Sequence, residues 1–159
     1  MDPTHFGRRA ALTAGVAVVL LAGAPLGVAF AGLGESTATI ARDHAALRGR
    51  TLTLTSTAKY EVHESIAGDG TRVREFARPG GPVFAVRFEG RHLPDLGVLL
   101  ASHYAEYLAA ARAHRGGHHR LTISTPTLSL EIVRGPRGFT GSARLPDALP
   151  AGVSPQELR

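Results

Sequence analysis

From Val83 to Glu89 the chain alternates strictly. Phe84, Val86 and Phe88 fall on one side of an extended backbone, and Ala85, Arg87 and Glu89 fall on the other. That period of two predicts a half-buried strand. Two weaker runs precede it. Tyr60 and Val62 point opposite to Glu61 and His63, and Thr71–Ala77 follows after Gly68-Asp69-Gly70. Glycine and aspartate tolerate the turn conformations of a tight reversal, so a hairpin is expected there. Pro79-Gly80-Gly81-Pro82 forces a second reversal. Three consecutive strands with short turns predict an antiparallel meander. Thr51–Thr57 alternates Leu52 and Leu54 against threonines and reads as a further strand.

The period then changes. Leu96, Leu99, Leu100, Tyr104, Tyr107, Leu108 and Ala111 recur at helical spacing and form a broad apolar stripe. Pro94-Asp95 suits the start of this helix, and Gly116-Gly117 its end. Leu121–Ser124 and Thr127–Val133 return to a strand pattern, with Pro126 between them. Gly135-Pro136-Arg137-Gly138 turns the chain, and Phe139–Leu145 reads as the returning strand. Upstream, Ile40, His44 and Leu47 share one face of a short helix over Ser36–Leu47, with Ser36 as its cap. Near the end, Ser154-Pro155-Gln156-Glu157 has the form of a capping box. The expected fold is α+β: an antiparallel β-meander packed against one long helix, with a short N-terminal helix and a C-terminal β-hairpin.

The N-terminal hydropathy alters this picture. Arg8 and Arg9 precede an apolar run from Ala10 to Val28, and Ala29-Phe30-Ala31 is a small-residue cleavage pattern. Residues 1–31 are expected to be a cleavable signal peptide, and residues 32–159 a single exported domain. Retention of the run as an anchor is the alternative, although Gly15, Gly23, Pro25 and Gly27 make it a poor permanent span. After cleavage no stable membrane span is expected, and the protein is placed in the periplasm or outside the cell.

Composition narrows the chemistry. The 159 residues contain no cysteine, which removes disulfides, thiolate nucleophiles and thiolate metal sites. Residues 32–159 carry 16 basic and 12 acidic groups, a net charge of +4. A mild positive field favours anionic partners. The charges are scattered along the chain without a basic-aromatic stripe, which argues against nucleic acid.

The candidate chemistry is thin. His63-Glu64 lacks the second histidine of a zinc-protease motif, since Ala67 stands at that position. His63 is therefore read as a solvent-facing residue beside a strand glutamate. His114, His118 and His119 cluster in sequence, with His103 a few turns earlier, but Gly116 and Gly117 interrupt any helical geometry for a metal. Gly138-Phe139-Thr140-Gly141-Ser142 lacks the spacing of a serine-nucleophile elbow. Glu61, Glu64 and Glu75 are within reach of one another on neighbouring strands; surface pairing with Arg72 or Arg74 accounts for them more simply. Tyr104 and Tyr107 read as core or groove lining. No catalytic residue, cofactor or metal ligand is assigned.

The run YEVHES…GTRVREFARPGGPVFAVRFEGRHLPDL, the helix with Tyr104 and Tyr107, and the tail LPDALPAGVSPQELR resemble a family of exported bacterial proteins, domain-of-unknown-function family 2844. The resemblance covers about residues 38–159. It implies export and a single domain, and brings no activity, catalytic residue or ligand. The expectation is a non-catalytic binding or accessory module of the envelope or secretome. Its expected partner is an envelope protein or an anionic glycan. The alternative is a small hydrolase working through Glu61, His63 or Glu75.

Overall fold

In the computed structural model, the Val83–Glu89 strand stands at the middle of a seven-stranded antiparallel sheet. The structure describes residues 32–37, 50–114, 117 and 119–158. The strands are β1 (Arg50–Ser56), β2 (Glu61–Ile66), β3 (Arg72–Ala77), β4 (Val83–Gly90), β5 (Arg120–Ser124), β6 (Ser129–Gly135) and β7 (Gly138–Arg144). Their spatial order is β1-β2-β3-β4-β7-β6-β5. Two meanders therefore meet where β4 pairs with β7, and the C-terminal hairpin β6–β7 joins the central strand instead of extending an edge.

A helical segment connects the two meanders. It comprises α1 (Leu96–Leu100), a 3-10 turn (Ala101–His103) and α2 (Tyr104–Ala113). Asp95 is the N-cap itself: its carboxylate accepts from the Gly97 N–H at 2.8 Å and the Val98 N–H at 3.3 Å. Leu96, Leu99 and Leu100 enter a core with Val73, Val86, Phe88, Leu128, Leu130, Ile132 and Ala143. Tyr104, Tyr107, Ala110 and Ala111 pack against its margin, and the two tyrosine rings stack 5.7 Å apart. We call this helix-covered side the inner face.

The break between α1 and α2 has a tertiary cause. The Leu99 carbonyl accepts from the Leu33 N–H at 3.0 Å, so it is engaged by a segment far away in sequence. Gly32 packs directly on the Val98 and Leu99 carbonyls, and Leu33 is fully buried. Ala101 then takes φ 44°, the one positive value at a non-glycine residue among the described residues. Such a conformation costs about 1–3 kcal/mol and persists only where the surroundings impose it.

The chain 32–37 is also stitched to the start of β4. Gly34 N–H donates to Val83 O, Val83 N–H donates to Glu35 O, and Ser36 bridges Pro82. The remainder of the expected N-terminal helix lies outside the described residues, as does the whole of residues 1–31. No helix among the described residues is long and apolar enough to cross a membrane.

One sequence expectation is corrected at β4. Phe84 does not share a face with Val86 and Phe88. The register with β3 shifts between Phe76 and Ala77, which places Phe76 opposite Ala85 and Ala77 opposite Val83. Phe84 is the extra residue of this irregularity. A one-residue shift reverses the side a strand residue faces. Phe84 therefore joins Phe76 and Ala85 in a second core on the other, outer face. The C-terminal tail roofs that core with Val153 and Leu158, and Tyr60, Val62, Ala148 and Leu149 complete it. The Ser154–Glu157 sequence forms a turn, with Glu157 N–H donating to Ser154 O, and no helix follows among the described residues.

Three cationic side chains bind the tail through its carbonyls. Lys59 Nζ donates to Gly152 O at 2.7 Å, Arg78 to Ala148 O at 2.9 Å and Arg87 to Leu158 O at 2.8 Å. Charge-assisted bonds of this kind are stronger than neutral ones. They let a segment without regular secondary structure lie fixed across the strands.

Candidate anion-binding groove

The tail covers only part of the outer face. Beyond it, β3, β4 and the β6–β7 turn enclose an open groove of about 740 Å³. Arg72, Arg74, Arg87, Arg91 and Arg137 line it, and Glu89 is the single carboxylate among its lining residues. Strand geometry explains the gathering. Arg72 and Arg74 are two apart on β3, so both side chains leave the same face, about 7 Å apart along the strand. Arg74 stands directly opposite Arg87 in the β3–β4 register.

Like charges so placed repel one another. Glu64 on β2 offsets this from one side, taking Arg72 Nη1 and Arg74 Nε at 2.6 Å each. Leu158 O holds Arg87 from the other side. Arg91 and Arg137 are exposed and lie on the two loops at the far rim. The result is a surface with several fixed guanidinium groups that outnumber the two carboxylates, Glu64 and Glu89, beside them. Arginine presents a planar fork of donors that fits carboxylate and phosphate oxygens. The arrangement can bind an anion.

The residues singled out in the sequence are distributed differently. Glu64 pairs with Arg72 and Arg74 as expected. His63 is not solvent-facing: its side chain is 16 % exposed, lies 3.7 Å from Glu61 and stands opposite Glu75 in the β2–β3 register. Glu75 is not a surface glutamate either, being 1 % exposed. Alternation along β2 and β3 places Glu61, His63 and Glu75 on the inner face and Glu64 on the outer. Glu64 is therefore separated from the other two, whereas Glu61 and Glu75 stand on one face with His63 between their strand positions. None of Glu61, His63 or Glu75 lines the groove.

His103 lies 3.5 Å from Glu106 on the next helical turn. Glu106 also accepts from the hydroxyls of Thr125 and Thr127, which ties α2 to the β5–β6 turn. His114 is half-buried at the end of α2, and His119 is exposed. His118 lies outside the described residues. Among the described residues no three His, Asp or Glu side chains converge as a metal site requires. Gly68-Asp69-Gly70 forms the β2–β3 hairpin turn, in which Asp69 accepts from the Thr71 N–H at 2.8 Å.

Sequence reasoning missed the groove because it treated the arginines as scattered. The signal was available in part. Arg72, Arg74 and Arg87 share one parity across two predicted strands. The placement of Arg91 and Arg137 was not available, since it depends on β7 pairing with β4.

No curated protein and no solved structure matches this chain. A family model matches residues 29–158, which is most of its length. The chain belongs to the family described as "Protein of unknown function (DUF2844)".

Proposed function

We propose that this protein is an exported, non-catalytic binding module that holds an anionic component of the cell envelope or secretome in the arginine groove. The observation that carries the reading is the groove itself: five arginines against Glu89 in its lining and Glu64 beside it, on a face that the chain's own tail leaves uncovered. Burying those guanidinium groups under protein would require a partner for each of them. Glu64 and the Leu158 carbonyl already engage Arg72, Arg74 and Arg87, and an external anion supplies a partner for Arg91 and Arg137. Export rests on the charged, apolar and A-x-A pattern of residues 1–31. The hydrolase reading has weaker support, because Glu61, His63 and Glu75 face the helix side and stand apart from the groove.

Two measurements test this. Intact mass of the protein recovered from cell fractions should start at Gly32 and come from outside the cytoplasm; a chain retaining Met1 in the cytoplasm overturns export. Photo-crosslinking in cells from a probe at Thr140, in the groove, should capture an anionic envelope component. A probe at exposed Ala109 on α2 should not. Equal capture from both positions overturns the groove as the binding face.

A further inference from the structure

The rim of the groove is more specific than its floor. Gly138, which closes the β6–β7 turn, adopts φ +127°. A Cβ there would lie 2.7 Å from the Arg91 Cα and closer still to the Gly90 carbonyl. No other residue tolerates that backbone conformation with that approach. The contact sets the β6–β7 turn against the end of β4. It brings Arg137, next to Gly138, beside Arg91, so two loops far apart in sequence each supply one guanidinium to one end of the groove. Unlike Arg72, Arg74 and Arg87, neither of these arginines makes an ion pair or a side-chain hydrogen bond within the described residues.

We infer that Arg91 and Arg137 form a two-arginine clamp for one oxyanion substituent, and that the ligand is an anionic glycan whose further acidic groups follow the groove towards Arg72, Arg74 and Arg87. This rests on the anion-binding reading above and specifies its ligand. The chemistry of the groove selects the class. A protein partner would need an apolar or aromatic anchor site near the centre of the contact. Here Phe88 is 5 % exposed and Phe139 packs against the inner core, where the Arg134 guanidinium carbon lies 5.7 Å from its ring centroid. A lipid surface would require apolar side chains to insert. The exposed large apolar residues among those described are Leu54 and Leu93, and neither lines the groove. Single-stranded nucleic acid would use open aromatic faces, which the groove lacks. A hydrophilic chain carrying repeated carboxylate or phosphate groups fits what remains.

The test is calorimetry on the purified full chain with oligogalacturonate of six residues. Controls are a neutral hexasaccharide, free galacturonate, inorganic phosphate and hexa-aspartate. The acidic hexasaccharide should bind, the neutral one should not, and free galacturonate and phosphate should bind at least about tenfold more weakly than the hexamer. Arg91→Ala or Arg137→Ala should weaken binding about tenfold, the loss of one charge-assisted contact. Arg112→Ala, which removes the same charge from α2, should change it less than about twofold. Gly138→Ala should weaken binding with every arginine retained, and circular dichroism shows whether that variant is folded.

Equal affinity for hexa-aspartate assigns the groove to an acidic protein and overturns the glycan. Equal affinity for free phosphate or galacturonate overturns the extended ligand. Unchanged binding by Arg91→Ala/Arg137→Ala, with loss in Arg72→Ala/Arg74→Ala, overturns the clamp and leaves the groove reading standing. Unchanged binding by both pairs overturns the groove as well.

Discussion

The two faces of the sheet are covered by different means. On the inner face a helical segment presents Leu96, Leu99 and Leu100 to an apolar core that runs from β3 to β5. On the outer face an irregular tail covers Phe76 and Phe84, and basic side chains hold its carbonyls. The rest of the outer face stays open and arginine-lined. The same strands, β3 and β4, carry both outer environments. A roof extends as far as apolar side chains reward burial and stops where the side chains become guanidinium groups, whose desolvation would cost more than their packing returns. The groove is thus the part of the sheet that neither roof could cover at a profit.

The comparison is broken most severely at the inner roof. Leu99 is 1 % exposed, and Leu99→Ala should lower global stability by about 3–5 kcal/mol, read by chemical denaturation. Leu158, 4 % exposed, is the outer counterpart. Leu158→Ala should cost about 2–3 kcal/mol. Amide exchange across residues 145–158 should accelerate before that of the inner strands does. If Leu158→Ala instead accelerates exchange uniformly, the two roofs are one cooperative unit and the distinction fails.

A subtler difference lies in how the inner roof is fastened. The Thr125 hydroxyl has the largest influence on Glu106 and lowers its pKa below the ordinary carboxylate value; burial opposes this, and Thr127 and His103 add to the lowering. A carboxylate depressed in the folded state contributes stability that is present above its unfolded pKa and is lost as pH falls through the folded one. Thr125→Val should therefore cost about 1 kcal/mol near pH 7, and its deficit should shrink as pH falls from about 5 to 3. A deficit constant over that range means that Thr125 acts through packing and its hydrogen bonds to the Leu128 backbone, not through Glu106.

The smallest expected change is a gain. Ala101 sits at φ 44° between α1 and α2. Ala101→Gly relieves that conformation and should raise stability by about 1 kcal/mol in the same denaturation experiment. A loss of stability would show that the Ala101 methyl group packs well enough to offset its backbone.

Much of this architecture was legible residue by residue. The alternation in β1, β2 and β6, the Gly-Asp-Gly and Pro-Gly-Gly-Pro turns, and the helical stripe from Leu96 to Ala111 each report a local pattern, and local patterns survive into the fold. The arginine groove was half legible, because parity along β3 and β4 places three arginines on one side. Glu75 and His63 were misread as surface groups, because periodicity gives a side chain's face and not what covers that face.

The sequence by itself determined the first antiparallel meander, the C-terminal hairpin, the connecting helical segment and the turns between them, since each depends on neighbours a few residues apart. Only the tertiary structure decided the rest. The β4–β7 pairing joined two meanders into one sheet and set Gly138 against Arg91. The register shift sent Phe84 to the outer core. Leu33 took the Leu99 carbonyl and left the helical segment in two pieces. Each of these is a contact between residues distant along the chain, formed because a backbone group or an apolar side chain must find a partner, and no local pattern records which partner it finds.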